Sequence, residues 1–218
     1  MGKIDLLTEK QRLIFDKVSK DATLNSQFYF TGGTALSVFY LQHRESEDLD
    51  FFSEKKFDSE IVLEKVSQWS KENNYEFKHK AVENVNIFSL TFDNQEFLKI
   101  DFNYYPHKRI EKELKVENIE IDSLIDIATN KLLTINQRTE VKDFVDLYYL
   151  LKHFTFWDLL HALRVKFGMK NDPFMFATDF MKVEGFEFLP KMLKPLTLPE
   201  LQEFFKQKAK ELAKRVIE

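Results

Sequence analysis

An α+β fold is expected, with a mixed strand-and-helix first half and an all-helical second half. Three observations predict it. Short apolar and aromatic runs of strand length dominate to about residue 105. From Ser123 onward the apolar spacing turns helical, and four prolines (Pro173, Pro190, Pro195 and Pro199) punctuate the remainder. At 218 residues with 44% hydrophobic content, the chain is long enough for one substantial core or two small ones.

The elements follow in order. An opening helical segment runs to about Lys20. QFYFT then reads as a short aromatic strand, interrupted by Gly32 and Gly33. From Thr34 to Gln42 the spacing is helical again, with Leu36, Phe39 and Tyr40 on one side, giving strand, glycine turn, helix. DLDFF supplies the next strand. Asp58 or Ser59 caps a helix to about Glu72 whose apolar face holds Ile61, Val62, Val66 and Trp69, and Asn73 and Asn74 end it. YEFKHKA, NIFSLTFD and EFLKIDFNYY are strand-like, the last two joined by a turn at Asp93, Asn94 and Gln95. Pro106 closes this part. Ser123 with Asp126 and Thr155 with Asp158 resemble capping boxes, Gly168 a C-terminal stop, and Pro199 fits the first turn of a last helix. The expected division is an α/β core over 1–110 and a helical domain over 111–218 that contributes to an active-site cleft.

Composition excludes several chemistries. With no cysteine there is no disulfide framework, thiolate metal site or cysteine nucleophile. The net charge of −4 argues against a bulk nucleic-acid coat, and the start lacks the apolar run of a signal peptide, so a cytoplasmic protein with no membrane role is expected. The 23 phenylalanines predict a core built from large flat rings.

The informative stretch is DLDFF. Side chains in a strand alternate between faces, so Asp48 and Asp50 point one way while Leu49 and Phe51 point the other. Two like charges side by side need a cation. A glycine turn opening a helix offers backbone N–H groups to a phosphate, and Thr34 adds a hydroxyl. Asp48 and Asp50 beside such a turn could hold a divalent ion against the same phosphates, the arrangement that in-line displacement at phosphorus uses. In FLKIDF, Asp101 interrupts another apolar run and can supply a third carboxylate. Oxygen donors of this kind suit Mg²⁺ or Mn²⁺.

Taken together, FTGGTALSVFYLQHRESEDLDFF resembles the first motif of the AbiEii/AbiGii toxin-type nucleotidyltransferases, a branch of the polymerase-β-like superfamily. The match runs through Gly32, Gly33, Thr34, Ala35 and Leu36, then His43, Arg44, Ser46, Asp48, Asp50 and Phe51. LKIDF is similar to the family's third-carboxylate strand, and KLLTINQRTEVKDFVDLYYLL to its helical motifs, so the likeness spans about residues 28 to 151. It implies a polymerase-β-like core with a small mixed sheet, followed by a helical bundle. It also implies transfer of a nucleoside monophosphate from an NTP to an acceptor hydroxyl of RNA (tRNA) or protein, with Mg²⁺ or Mn²⁺. On that basis Asp48, Asp50 and Asp101 are the metal and catalytic acids, and Gly32, Gly33, Thr34, Arg44 and Ser46 bind the nucleotide. Lys131 pairs with phosphates, supported by Arg138, and Asp143 is a polar residue near the acceptor that could act as a base. Lys142 stands where the family commonly has arginine. Asp146 reads as structural, pairing with Lys142 or capping, and His43 and Arg44 can also serve to position the acidic strand. A cognate antitoxin is implied, and a monomer is expected. The alternatives are a catalytically silent nucleotide-binding or antitoxin-binding module of the same fold, and a phosphotransferase that moves only the γ-phosphate.

Overall fold

The structure is a computed structural model that describes residues 6–93, 95–111, 114–169 and 172–217. The chain divides into two compact units: 1–40, 46–108 and 112–123 form the first, and 41–45, 109–111 and 124–218 the second.

The first unit is built on a seven-stranded mixed sheet. Its strands are β1 (Tyr29–Thr31), β2 (Leu49–Ser53), β3 (Tyr75–Val82), β4 (Val85–Phe92), β5 (Phe97–Tyr104), β6 (Leu114–Val116) and β7 (Ile119–Ile121), in the order β3-β4-β5-β2-β1-β7-β6. The two internal parallel pairs, β2 with β5 and β1 with β7, join segments far apart in sequence, whereas β3, β4 and β5 form antiparallel neighbours. Helices α1 (Glu9–Lys20), α2 (Ala22–Asn25) and α4 (Ser59–Asn73) complete the unit. Thr8 and Gln11 form a reciprocal cap on α1, and Asp58 caps α4. Asn74 ends α4 in the left-handed region, as the paired asparagines suggest. The turn between β4 and β5 forms where it is expected, with Gln95 at φ 61° donating to the Phe92 carbonyl; Asn94 lies outside the described residues, as do 1–5 of the opening segment.

The strands explain why phenylalanine is so abundant. Phe30, Phe51 and Phe102 are register partners on β1, β2 and β5, and all three are fully buried. Their rings stand 5.2 and 5.1 Å apart, and Phe15 of α1 packs edge-on to Phe30 at 5.4 Å. Burying each ring contributes about 1.5–3 kcal/mol, so this row fixes the register of the three strands.

The glycine segment departs from the expected turn followed by a helix from Thr34. Helix α3 (Gly32–Ala35) starts at the glycines themselves and continues as a π-helical turn over Leu36–Leu41. Leu36, Val38, Phe39 and Leu41 of this segment are all buried, as is Ser37 between them.

The second unit contains α5 (Leu124–Gln137), α6 (Val141–Leu150), α7 (Phe156–Phe167), α8 (Pro173–Met181), a 3₁₀ turn (Lys182–Gly185) and α9 (Leu198–Ile217). Thr155 and Asp158 close the expected capping box, Gly168 ends α7 at φ 66°, and Pro199 lies in the first turn of α9. Asp126, expected to pair with Ser123, accepts hydrogen bonds from the Ile110 and Glu111 N–H groups and a 2.6 Å contact from the buried Lys166. It thereby anchors the 109–111 segment to the helices. Among the described residues no helix is long and apolar enough to cross a membrane.

Candidate active site

The register that buries the phenylalanine row determines what lies beside it. One residue further along, Thr31, Asp50 and Asp101 are partners on the same three strands, and by strand alternation they share the opposite face. Asp48 stands immediately before β2. Thus the two acids that interrupt apolar runs fifty residues apart are brought to adjacent positions.

Gly32 makes room for one of them. Its φ is 77°, and a Cβ built there would lie 2.0 Å from Asp50 Oδ2 and 2.7 Å from its Cγ. Only glycine satisfies both demands, because a side chain would be strained in this backbone region and would collide with the carboxylate. The Asp50 carboxylate is thereby seated directly against the Gly32 Cα. Thr34 differs from expectation. Its side chain is 1% exposed, and its hydroxyl donates to the Asp48 carbonyl, so it fixes the approach to β2 and is not presented to a phosphate. Ser46 is held through its backbone, its carbonyl accepting from Gln11 Nε2 at 2.8 Å.

Lys99 completes this face, and sequence reasoning passed over it. Two residues before Asp101 on β5, it shares that side of the strand. Its ammonium lies 2.7 Å from Asp101 Oδ2 and 3.6 Å from Asp48 Oδ2. Among the described residues no three histidine or acidic side chains are gathered closely enough to hold an ion between them. Asp101 is 8% exposed, and its Oδ1 is buried without a hydrogen-bond partner among the described residues. Burial, with the charge of Asp48 adding to it, raises the Asp101 pKa against the opposing pull of Lys99. Burial disfavours the Lys99 ammonium, yet Asp101, Asp48 and Asp50 outweigh it and raise the lysine pKa.

A second cluster lies within the helical unit. The segment 41–45 pairs with 191–194: Arg44 bridges to Met192, and Leu193 and Lys194 donate to the His43 carbonyl at 2.8 and 3.0 Å. This sets His43 and Arg44 against Asp146 of α6. Asp146 Oδ1 accepts from His43 Nε2 and Arg44 Nε, both at 2.7 Å, and Oδ2 from Arg44 Nη2 at 2.9 Å and Lys131 Nζ at 2.6 Å. Lys131 Nζ also lies 2.8 Å from Asp143 Oδ1, and Arg138 reaches both Asp143 oxygens at 2.8 and 3.2 Å.

These contacts bear on four of the expected residues. Arg44, expected on the nucleotide, is buried and directs its guanidinium to Asp146. Lys131, expected on the phosphates, is buried between two carboxylates. Asp143 is a poor base, because Lys131 and Arg138 occupy both its oxygens and outweigh the effect of burial, holding its pKa below the usual value. Asp146 does not pair with Lys142, whose ammonium goes to Glu140 at 3.0 Å. It is the centre of the cluster, and although burial opposes its charge, Lys131, Arg44 and His43 hold its pKa well below the carboxylate range. Lys131 and Arg138 do meet, as their helical spacing suggests, but on Asp143.

His43 gives this cluster a pH response. Burial lowers its pKa against the attraction of Asp146, and its Nδ1 is buried with no partner among the described residues, so a proton there would have nothing to bond. The fold therefore holds a neutral ring that donates from Nε2. An unfolded histidine takes up a proton near pH 6.5, so this stabilisation is full above about 6.5 and is lost as pH falls through that value, by at most about 1.4 kcal/mol per pH unit. Urea unfolding between pH 8 and 5 is expected to show the decline, and His43→Gln to flatten it. An unchanged slope in that variant would contradict the assignment.

Comparison with known proteins fits this geometry. A family model described as nucleotidyl transferase AbiEii toxin, type IV TA system, matches residues 13–217. The chain belongs to the AbiEii family. It is thus placed among nucleotidyltransferase enzymes of toxin type, and the match extends well past the motifs that first suggested it. The Aquifex aeolicus (strain VF5) protein aq_aa25 is 32% identical over 212 residues, covering 94% of this chain and 97% of that one. A putative nucleotidyltransferase from Helicobacter pylori shares the fold with a TM-score of 0.58 at 22% identity, covering 96% of this chain and 97% of its own. The nucleotidyltransferase toxin MenT4 of Mycobacterium tuberculosis H37Rv does so at 0.55 and 15% identity, over 87% and 76% of the two chains.

Proposed function

We propose that this AbiEii-family chain transfers a nucleoside monophosphate from an NTP to a hydroxyl of RNA or protein, as the toxin of a toxin–antitoxin pair. The observation that carries the reading is the register row placing Asp50 beside Asp101, with Asp50 seated on Gly32. In the reaction the acceptor oxygen forms a bond to the α-phosphorus, the bond from that phosphorus to the β-bridging oxygen breaks, and pyrophosphate departs with the electron pair. The hydroxyl proton goes to a base. Asp101 is the acid placed to take it, because its Oδ1 is buried without a hydrogen-bond partner among the described residues.

Asp48, Asp50 and Asp101 are the proposed source of ligands for Mg²⁺ or Mn²⁺; as they stand, no more than two of them could share one ion, and phosphate and water oxygens would supply the rest. The acids' hard oxygen donors match such ions, and Asp101 Oδ1, without a hydrogen-bond partner among the described residues, supports a ligand there. A bound ion would supply electrostatic stabilisation of phosphate charge.

Incubation with α-labelled NTP, a divalent ion and total RNA or lysate is expected to label an acceptor, whereas γ-labelled NTP gives labelled pyrophosphate only. Label carried over from the γ position would identify a phosphotransferase and overturn the proposal. Nucleotide binding without transfer would instead favour a silent module.

A further inference from the structure

Three like charges on one face of a sheet are tolerated only with a cation among them. In this protein a lysine of the same strand fills that need: the Lys99 ammonium lies 2.7 Å from Asp101 and 3.6 Å from Asp48. We infer that Lys99 is a resident counter-cation of the Asp48–Asp50–Asp101 face, and that a divalent ion enters by exchange with it. The inference rests on the metal-binding reading proposed above and adds the step by which the ion gains the carboxylates.

Geometry supports exchange over coexistence. The ammonium occupies Asp101 Oδ2, one of the two oxygens through which that residue could bind an ion, and it approaches Asp48 as well. A divalent cation held by the same two acids would stand within a few ångströms of a positive charge, where repulsion is strong. The lysine has a way out. Its side chain is 41% exposed and its flexible four-carbon stem can carry the head to water, whereas the Asp101 backbone is fixed by ladder pairing with β2 and β4. With the lysine seated, the acids are kept close and charge-balanced. Once it has left, Asp101 has both oxygens available, one of them already without a hydrogen-bond partner among the described residues.

The test reads the lysine itself. Wild-type protein is treated with a limiting amine acylating reagent, and labelling of each lysine is measured by mass spectrometry with and without saturating Mn²⁺. Lys20, whose side chain is 69% exposed, serves as internal reference. Lys99 labelling is expected to rise about threefold relative to Lys20 on adding Mn²⁺, the factor that matches loss of one half-exposed ion pair. In parallel, Mn²⁺ titration followed by electron paramagnetic resonance is expected to show Lys99→Met binding about tenfold tighter than wild type, as removal of a competing charge at contact distance requires. Bound Mn²⁺ with unchanged Lys99 labelling would overturn the exchange, even if Lys99→Met gained affinity, since that gain would reflect charge alone. Failure of wild-type protein and Lys99→Met alike to bind Mn²⁺, with or without NTP, would instead bring down the metal reading and this inference with it.

Discussion

Asp146→Ala is expected to lower the stability of the protein by about 3–5 kcal/mol, the range for removing one partner of a buried ion pair. The Asp146 side chain is fully buried and receives His43, the Nε and Nη2 groups of Arg44, and Lys131 within 2.6–2.9 Å. Alanine leaves the buried Arg44 guanidinium without its carboxylate. Lys131 retains Asp143, so the loss falls chiefly on the 41–45 segment and the packing of α6 against it. Urea unfolding at pH 7.5 measures the effect. A change below about 1 kcal/mol would show that the cluster is worth no more than an exposed pair.

Gly32→Ala is expected to strike activity harder than stability. A methyl group at this position would meet Asp50 Oδ2 at 2.0 Å and would force an L-residue to φ 77°. The backbone term costs about 1–2 kcal/mol. The displaced carboxylate matters more, because a misplacement of about 1 Å at a reacting centre lowers the rate roughly hundredfold. Single-turnover transfer and thermal unfolding, measured on one preparation, separate the two. Full activity in this variant would remove Gly32 from the account of how Asp50 is positioned.

The first half was legible to the extent that its signals are local. The aromatic strand at Tyr29–Thr31, the capped helix ending at Asn74 and the β4–β5 hairpin each announce themselves within about ten residues, and each forms. The acids of DLDFF and FLKIDF stood out because a charge inside an apolar run needs a reason. That Asp50 and Asp101 are register partners was not legible, since parallel pairing between distant strands leaves no local mark. β6 and β7, an antiparallel pair of three residues each, are too short to show an alternating pattern, and they fell inside the expected helical domain.

Side-chain partners were the least legible feature. Thr34 looked like a phosphate ligand because its position was known but not the carbonyl above it. Asp143 and Asp146 sit three apart beside Lys142, which suggested local pairing, yet their cations come from α5 and from the 41–45 segment. Lys99 was hidden in an alternating strand where a lysine ordinarily faces water.

Transfer on the Asp48–Asp50–Asp101 face depends on the Asp50 charge. The most direct measurement is incorporation of α-labelled nucleotide by wild type and by Asp50→Asn, an isosteric change that removes the charge and leaves Gly32 undisturbed. The account predicts a fall of at least about a thousandfold with folding unchanged. Equal incorporation by the two proteins would contradict it.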